Sequence, residues 1–309
     1  MVLRPPPNRL LRRSDAHAGR MTTLSRTLEI PSTPGDRFFD YCLEIYEPRC
    51  DVAGKLRGES LLWHSLEVAG LPLEADASFS AIQRAAGRDM TVFGVKWFGG
   101  RLSWEMYFYD PQREDKQITA AALRDALAGT LELEPLVSDS IRYFMYSFDL
   151  DADSLARAKV PELNIYLQFY EGQGGHSYAV RNGSRELRNT YRFHRPKPEI
   201  DAILHQVQRS MWVDFRTVRL ADIIMPELFE CTKICVAKKR FADAIYYSGI
   251  TVDQLLWFFR RFEYPEPIAA FVEDRREDFE HLLFDVGIDY LSGPDGRLIY
   301  PKTSYYSTL

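Results

Sequence analysis

Hydrophobic and polar residues alternate with a period of two along several stretches of this chain, and the polar positions are mostly Lys, Arg, Tyr, Asn and Glu. In 101–109 one face reads Leu102, Trp104, Met106 and Phe108, and the other Arg101, Ser103, Glu105, Tyr107 and Tyr109. In 162–170 the apolar face is Leu163, Ile165, Leu167 and Phe169, and the other is Asn164, Tyr166, Gln168 and Tyr170. Successive side chains on a strand point to opposite faces, so each stretch offers a greasy layer on one side and cations, amides and phenols on the other. A solvated strand face carries Lys, Glu, Thr and Ser rather than repeated Tyr. The pattern therefore predicts the inside of a barrel or deep cleft for a ligand that is part anion and part apolar.

The same reading orders the rest of the chain. A helix is predicted after Ser32-Thr33-Pro34-Gly35-Asp36, with Phe38, Phe39, Cys42, Leu43 and Tyr46 on one face, and a second over 60–68; 74–88 is ambiguous. Two strands, 91–98 and 101–109, flank Gly99-Gly100, a pair suited to a two-residue hairpin. A helix over 119–127, a strand over 141–149, a short helix from Asp151 ended by Pro161 and a strand over 162–170 follow. Strands 176–181 and 186–194 turn at Asn182-Gly183. Pro198 opens a helix with the stripe Ile200, Ile203, Leu204, Val207 and Met211. Strands 232–238 and 243–247 flank the basic turn Lys238-Lys239-Arg240. Thr251 caps a helix carrying Val252, Leu255, Leu256 and Phe259, and another carries Ile268, Phe271 and Val272. Strands 281–290 and 298–305 end the chain around Pro294-Asp295-Gly296-Arg297.

About ten strands thus fall in five consecutive pairs with helices between most of them, and no rhythm of single strands and helices argues for a parallel sheet. The expected fold is α+β: an antiparallel ten-stranded barrel of repeated ββα units with its helices outside, one domain over 31–309. Closing the sheet also removes exposed edges. The repeat is broken where 162–170 runs into the 176–194 hairpin without a clear helix, which makes that hairpin a candidate insertion. Residues 1–30 carry Arg4, Arg9, Arg12, Arg13 and Arg20 without an apolar core, and are expected to be a disordered basic tail or the product of a start placed upstream of Met21.

Composition narrows the function. With 309 residues, 46% of them hydrophobic, the chain is long enough for a large core. A formal charge of -5 gives no general attraction to nucleic acid or anionic membrane. No apolar run has the length of a membrane helix. Four cysteines without zinc spacing fit buried thiols in a reducing, cytoplasmic setting. There is no Walker A loop, G-x-S-x-G elbow, Rossmann glycine fingerprint or H-E-x-x-H. Asp149, Asp151 and Asp153 start like a calcium loop, but Ser154 and Val160 stand where Gly and Glu are needed, so the run reads as a strand end and a helix cap.

What chemistry remains lies on the strands. Lys96, Arg101, Lys233, Lys238 and Lys302 are on or beside them, where Lys and Arg are depleted unless they face solvent or a partner. In a closed barrel several would converge on a polyanion such as diphosphate; singly, each is also compatible with a solvated strand face. Tyr300 and Ser304 share the Lys302 face, and Tyr305 points away from it. Tyr107, Tyr109, Tyr146, Tyr166, Tyr246, Tyr247, Tyr300 and Tyr305 either pack across strands or line a cavity that stabilises positive charge, by about 0.5–2 kcal/mol per ring. Glu105 is either a proton acceptor or a structural ion-pair partner of Arg101 or Lys96. Asp285 and Asp289 are second choices.

Three segments resemble the soluble bacterial members of the ABBA-type aromatic prenyltransferases. They are the 91–109 hairpin with Lys96, Arg101, Ser103, Glu105 and Tyr107, the run Leu163-Asn164-Ile165-Tyr166, and the ending from Leu298 to Tyr306 with Lys302. The resemblance spans roughly 91 to the C-terminus. It implies an enzyme of secondary metabolism that moves an allylic prenyl group from its diphosphate to an electron-rich aromatic acceptor, free or within a peptide, through a carbocation. It implies diphosphate contacts from Lys96, Arg101, Asn164, Lys233 and Lys302, shielding by Tyr107, Tyr166, Tyr246 and Tyr300, and Glu105 as proton acceptor. Magnesium-dependent members carry an Asp where this chain has Tyr107, so the resemblance implies no metal and no cofactor beyond the prenyl diphosphate. Two other readings stand beside it: a non-catalytic barrel or cleft binding an amphipathic anion or a partner chain, and an interaction protein whose 238–240 turn meets an acidic partner.

Overall fold

A computed structural model describes residues 27–41, 44–109, 118–138, 140–169, 173–181 and 183–309. Ten strands make the wall: β1 (Thr91–Phe98), β2 (Arg101–Tyr109), β3 (Met145–Leu150), β4 (Leu163–Gln168), β5 (Gly174–Arg181), β6 (Ser184–His194), β7 (Lys233–Lys239), β8 (Asp243–Ile250), β9 (Phe284–Ser292) and β10 (Lys302–Thr308). Every strand pairs antiparallel with its neighbours in sequence. The ring closes where β10 pairs with β1, from Val92 opposite Thr308 to Phe98 opposite Lys302. The expected ten-stranded barrel of ABBA type is therefore met strand for strand. The 174–194 hairpin is not an insertion: it contributes two consecutive staves, and without it the ring could not close.

Helices cover the outside: α1 (Glu59–Val68), α2 (Glu74–Ala86), α3 (Ala120–Ala126), α4 (Ala152–Arg157), α5 (Ile200–Gln208), α6 (Val252–Arg261) and α7 (Glu266–Asp274). Their starts follow from local chemistry. Thr251 and Gln254 cap the first turn of α6 reciprocally, and Asp151 and Ser154 do the same for α4, so the aspartates after β3 form a helix cap. The outward strand residues Trp104, Met106, Phe108, Ile245, Tyr247, Val286 and Tyr305 form one core with Leu61, Phe79, Leu255 and Phe259 of these helices. Burying side chains of this size contributes about 1.5–3 kcal/mol each, so the outer face of the wall carries much of the stability.

Three elements differ from the sequence reading. The helix expected after Asp36 is absent among the described residues: 27–41 and 44–58 are irregular, with isolated bridges Pro31–Leu56 and Phe39–Ile45. Asp36 folds back to accept from the Thr33 amide (3.0 Å) and hydroxyl (2.7 Å), and Phe38 stacks edge-on against His281, so docking onto the barrel end overrides the helical spacing. Cys42 and Leu43 of that stripe lie outside the described residues, as do residues 1–26 and Asn182. Helix α5 stops at Gln208, leaving Met211 89% exposed instead of on its apolar stripe. The last strand is broken at Tyr300-Pro301 into a two-residue piece, Leu298–Ile299, and β10. Among the described residues no helix is long and apolar enough to cross a membrane.

Candidate active site: a lysine and tyrosine chamber inside the barrel

Inward positions of nine of the ten strands line a cavity of about 950 Å³, the upper part of the range that holds small-molecule ligands. Alternation puts Lys96 of β1, Glu105, Tyr107 and Tyr109 of β2, Asp149 of β3, Asn164 and Tyr166 of β4, Tyr191 of β6, Tyr246 of β8, and Lys302 and Tyr306 of β10 on its lining. Two inward glycines make room for rings. A Cβ on Gly94 would come within 2.6 Å of the Tyr306 ring, and one on Gly287 within 2.5 Å of the Tyr246 ring. Neither position tolerates a larger residue while those tyrosines keep their places.

The lining is zoned. At the end where the β1–β2, β7–β8 and β9–β10 turns lie, three lysines meet three carboxylates. Lys96 Nζ sits 2.5 Å from Glu105 Oε2 and also bonds Asp149. Lys239 Nζ is 2.7 Å from Asp289 Oδ1, and Lys302 Nζ is 3.4 Å from the other oxygen of the same carboxylate. Glu105 accepts a further bond from Ser147 Oγ at 2.5 Å. Burial works against the Glu105 carboxylate, but Lys96, Ser147 and Tyr107 outweigh it and hold it down at about 2. Burial likewise opposes the Lys96 charge, yet Asp149 and Glu105 raise its pKa well above the ordinary lysine value. Lys302 goes the other way: burial, with Lys239 and Lys96 nearby and Asp289 compensating only in part, lowers it to about 8.

Next to this layer lies an aromatic one. Tyr107, Tyr166, Tyr191 and Tyr306 are buried together with Val92, Ala237 and Ala244, with Tyr246 against them. Tyr107 is 5.9 Å from Tyr306 and 6.5 Å from Tyr166, ring centre to ring centre, in tilted or edge-on contacts. Burial pushes the phenols of Tyr107, Tyr166, Tyr246 and Tyr306 well above their ordinary value, so they remain neutral donors. Ser304 and Tyr306 share a 2.7 Å hydrogen bond at the border of the two layers.

Of the residues singled out in the sequence, Lys96, Glu105, Tyr107, Asn164, Tyr166, Tyr246 and Lys302 share this lining. Lys233 lines it too, but at the far end. It lies six residues before Lys239 on one strand, about 20 Å away at about 3.3 Å per residue, beside Phe193 and paired with Glu44. It cannot reach the same small anion as Lys302 and Lys96. Arg101 lies exposed at the hairpin tip, off the lining. Tyr300 is outside the barrel, its hydroxyl donating to the Asp222 carbonyl and its ring edge-on to Phe262. Tyr146, Tyr247 and Tyr305 belong to the outer core. Each lumen lysine named here has a carboxylate partner, with Lys96 on Glu105 as the ion-pair alternative expected.

Lys239, Asp149, Tyr41, Tyr191 and Tyr306 were missed. Lys239 was legible in principle, because Lys233, Cys235, Ala237 and Lys239 alternate in one register; ending the strand at Lys238 assigned it to a surface turn. Among the described residues no group of three or more His, Cys, Asp or Glu side chains gathers as a metal-ligand set.

No family model matches the chain, and no curated protein matches it either. Among solved structures, the NotF prenyltransferase crystal structure is 11% identical with a TM-score of 0.46, over 81% of this chain and 92% of that one. The structure of PriB in a binary complex with product diphosphate is 10% identical with a TM-score of 0.45, over 80% of this chain and 94% of that one. The barrel assignment itself stands on the strand pairings above.

Proposed function

We propose that the chain is a prenyltransferase: it takes an allylic diphosphate as donor and passes the allyl group to an electron-rich aromatic acceptor. The observation that carries this reading is the zoning of one chamber, with Lys96, Lys239 and Lys302 in a charged layer directly beside the rings of Tyr107, Tyr166, Tyr246 and Tyr306. A diphosphate group suits the first layer and an allyl chain the second.

In this reading the lysines turn from their carboxylates to the diphosphate oxygens, with Asn164 adding an amide donor. The allylic C–O bond breaks and its electron pair leaves with the diphosphate, whose growing charge the lysines stabilise. The tyrosine faces hold the allyl cation and keep water away. The acceptor ring attacks, a C–C bond forms, and the ring proton passes to Glu105. A carboxylate held near 2 is a weak base, but a protonated aromatic ring is a strong acid, and Lys96 loosens its grip on Glu105 when it turns to the diphosphate. Since lysines fill the anion layer and Tyr107 stands beside Glu105, we assign charge stabilisation to side chains rather than to magnesium.

The test is diphosphate release from short allylic diphosphates in the presence of a panel of phenols and indoles, in EDTA and in magnesium. Release that depends on an acceptor and persists in EDTA is expected. Tight binding of the donor without release, under any acceptor, would instead favour the container for an amphipathic anion. The pairing of Lys96, Lys239 and Lys302 with Glu105, Asp149 and Asp289 is the feature that favours that second reading.

A further inference from the structure

The Tyr41 ring, packed on the aromatic layer, is supplied by no barrel strand. Tyr41 comes from the irregular segment ahead of α1, and its ring lies 4.7 Å from Tyr306 and 5.0 Å from Tyr107, centre to centre. Its main chain is tied to the wall. The Tyr41 amide donates to Asp285 Oδ2 at 2.9 Å, and its carbonyl accepts from the hydroxyl of Tyr109. Asp40 beside it is buried, and Glu44 pairs with Lys233 of β7.

Its position along the barrel gives it a consequence. Lys96, Lys239 and Lys302 lie at the end that carries the hairpin turns. An apolar chain running inward from that layer passes Tyr246, Tyr306 and Tyr107 and then meets the Tyr41 ring. The cavity does not stop there: its lining also includes Met145, Phe144 and Phe193, towards the Lys233–Glu44 pair. Those three side chains are apolar and suit more hydrocarbon, while Gln168, Thr232 and Ser248 add polar groups to the same lining. Tyr41 stands between a short chamber and a longer one.

We infer that Tyr41 sets the length of the apolar chain the chamber accepts, a specificity residue contributed from outside the barrel wall; this rests on the prenyl diphosphate reading of the same site. Truncating its side chain opens the track to Phe193 and Phe144 and admits a chain longer by about one five-carbon unit. The wall is expected to survive the change, since both main-chain hydrogen bonds of residue 41 are independent of its ring.

The test is calorimetric titration of the whole chain and of Tyr41→Ala, Tyr41→Leu and Tyr41→Phe. The probes are inorganic diphosphate and non-hydrolysable allylic diphosphate analogues of five, ten and fifteen carbons, with thermal melts alongside. The longer-to-shorter affinity ratio is expected to rise about tenfold in Tyr41→Ala, because more CH2 groups become buried, with inorganic diphosphate unchanged. Tyr41→Leu moves the ratio less in the same direction and carries the test if the alanine variant does not fold; Tyr41→Phe keeps the parent order. A folded Tyr41→Ala or Tyr41→Leu with the parent order overturns the inference, as does a Tyr41→Phe shift equal to that of alanine. Failure of the parent chain to bind any allylic analogue while the melts report a folded protein is a different result, and it removes the prenyl reading itself.

Discussion

Tyr305 and Tyr306 are neighbours on one strand and do unrelated work. Tyr305 points outward, wedged 5.1 Å from Phe259 and 5.8 Å from Tyr264, ring centre to ring centre, in the core between wall and helices. Tyr306 points inward, against Tyr41, Tyr107 and Tyr246, and bonds Ser304. Both are almost fully buried, so burial does not distinguish them. What differs is the company: Tyr305 packs among rings and hydrocarbon with its hydroxyl donating to the Leu61 carbonyl at 3.4 Å, whereas Tyr306 sits near Lys96 and faces a cavity. The outer face of the barrel holds the fold, and the inner face is free to be chemistry.

Substitutions can break that contrast. The largest effects are expected from Tyr305→Ala and Lys302→Ala, and of opposite kinds. Removing the Tyr305 ring leaves a hole in a packed core and should cost about 3–5 kcal/mol of stability, read by denaturant unfolding. Lys302→Ala should melt close to the parent but lose about a hundred- to a thousandfold in turnover, the scale of removing one charge-stabilising donor. Tyr306→Ala belongs with Lys302, with more lost in turnover than in unfolding free energy. Equal destabilisation by Tyr305→Ala and Tyr306→Ala would erase the division between faces.

A second contrast runs along the barrel axis. Lys239→Ala is expected to weaken binding of an allylic diphosphate analogue by about tenfold or more, as expected for losing a charge-assisted contact. Lys233→Ala, at the other end of the same strand, should change it by less than about threefold, the range of a distant, uncoupled site. Arg101→Ala should have no measurable effect.

The subtlest effect is with pH. Lys302 is lowered to about 8 in the free protein, and a bound diphosphate favours its charged form. Below about 8 it is already protonated and affinity should be flat. Above that, binding must first take up a proton, and affinity should fall by up to about tenfold per pH unit until the pKa of the bound state is reached. In Lys302→Arg, whose charge does not titrate in this range, the fall should vanish.

The sequence revealed the wall more readily than its contents. Period-two alternation located β1 and β2 to the residue, because their two faces differ so sharply, and the same parity put Glu105, Tyr107 and Lys302 inward and Tyr305 outward. Parity fails where a strand ends. Tyr300 shares it with Lys302 and Ser304, but Pro301 interrupts the ladder and Tyr300 leaves the barrel. Arg101 shares it with Glu105, yet four residues along a strand carry it about 13 Å further, past the rim. Lys233 and Lys302 both face inward, and only the closed register reveals that they stand at different ends. Tyr41 was beyond reach, because helical spacing in 38–46 concealed that it is held by contacts with β2, β9 and β10, which lie far away in sequence.

The most direct measurement is calorimetric binding of a non-hydrolysable allylic diphosphate analogue in EDTA, to the parent chain and to Lys302→Ala. Binding at about micromolar strength that survives EDTA and is lost in the variant is the predicted result. No binding by a folded parent chain, or binding that Lys302→Ala leaves untouched, would contradict the assignment of the lysine layer to diphosphate.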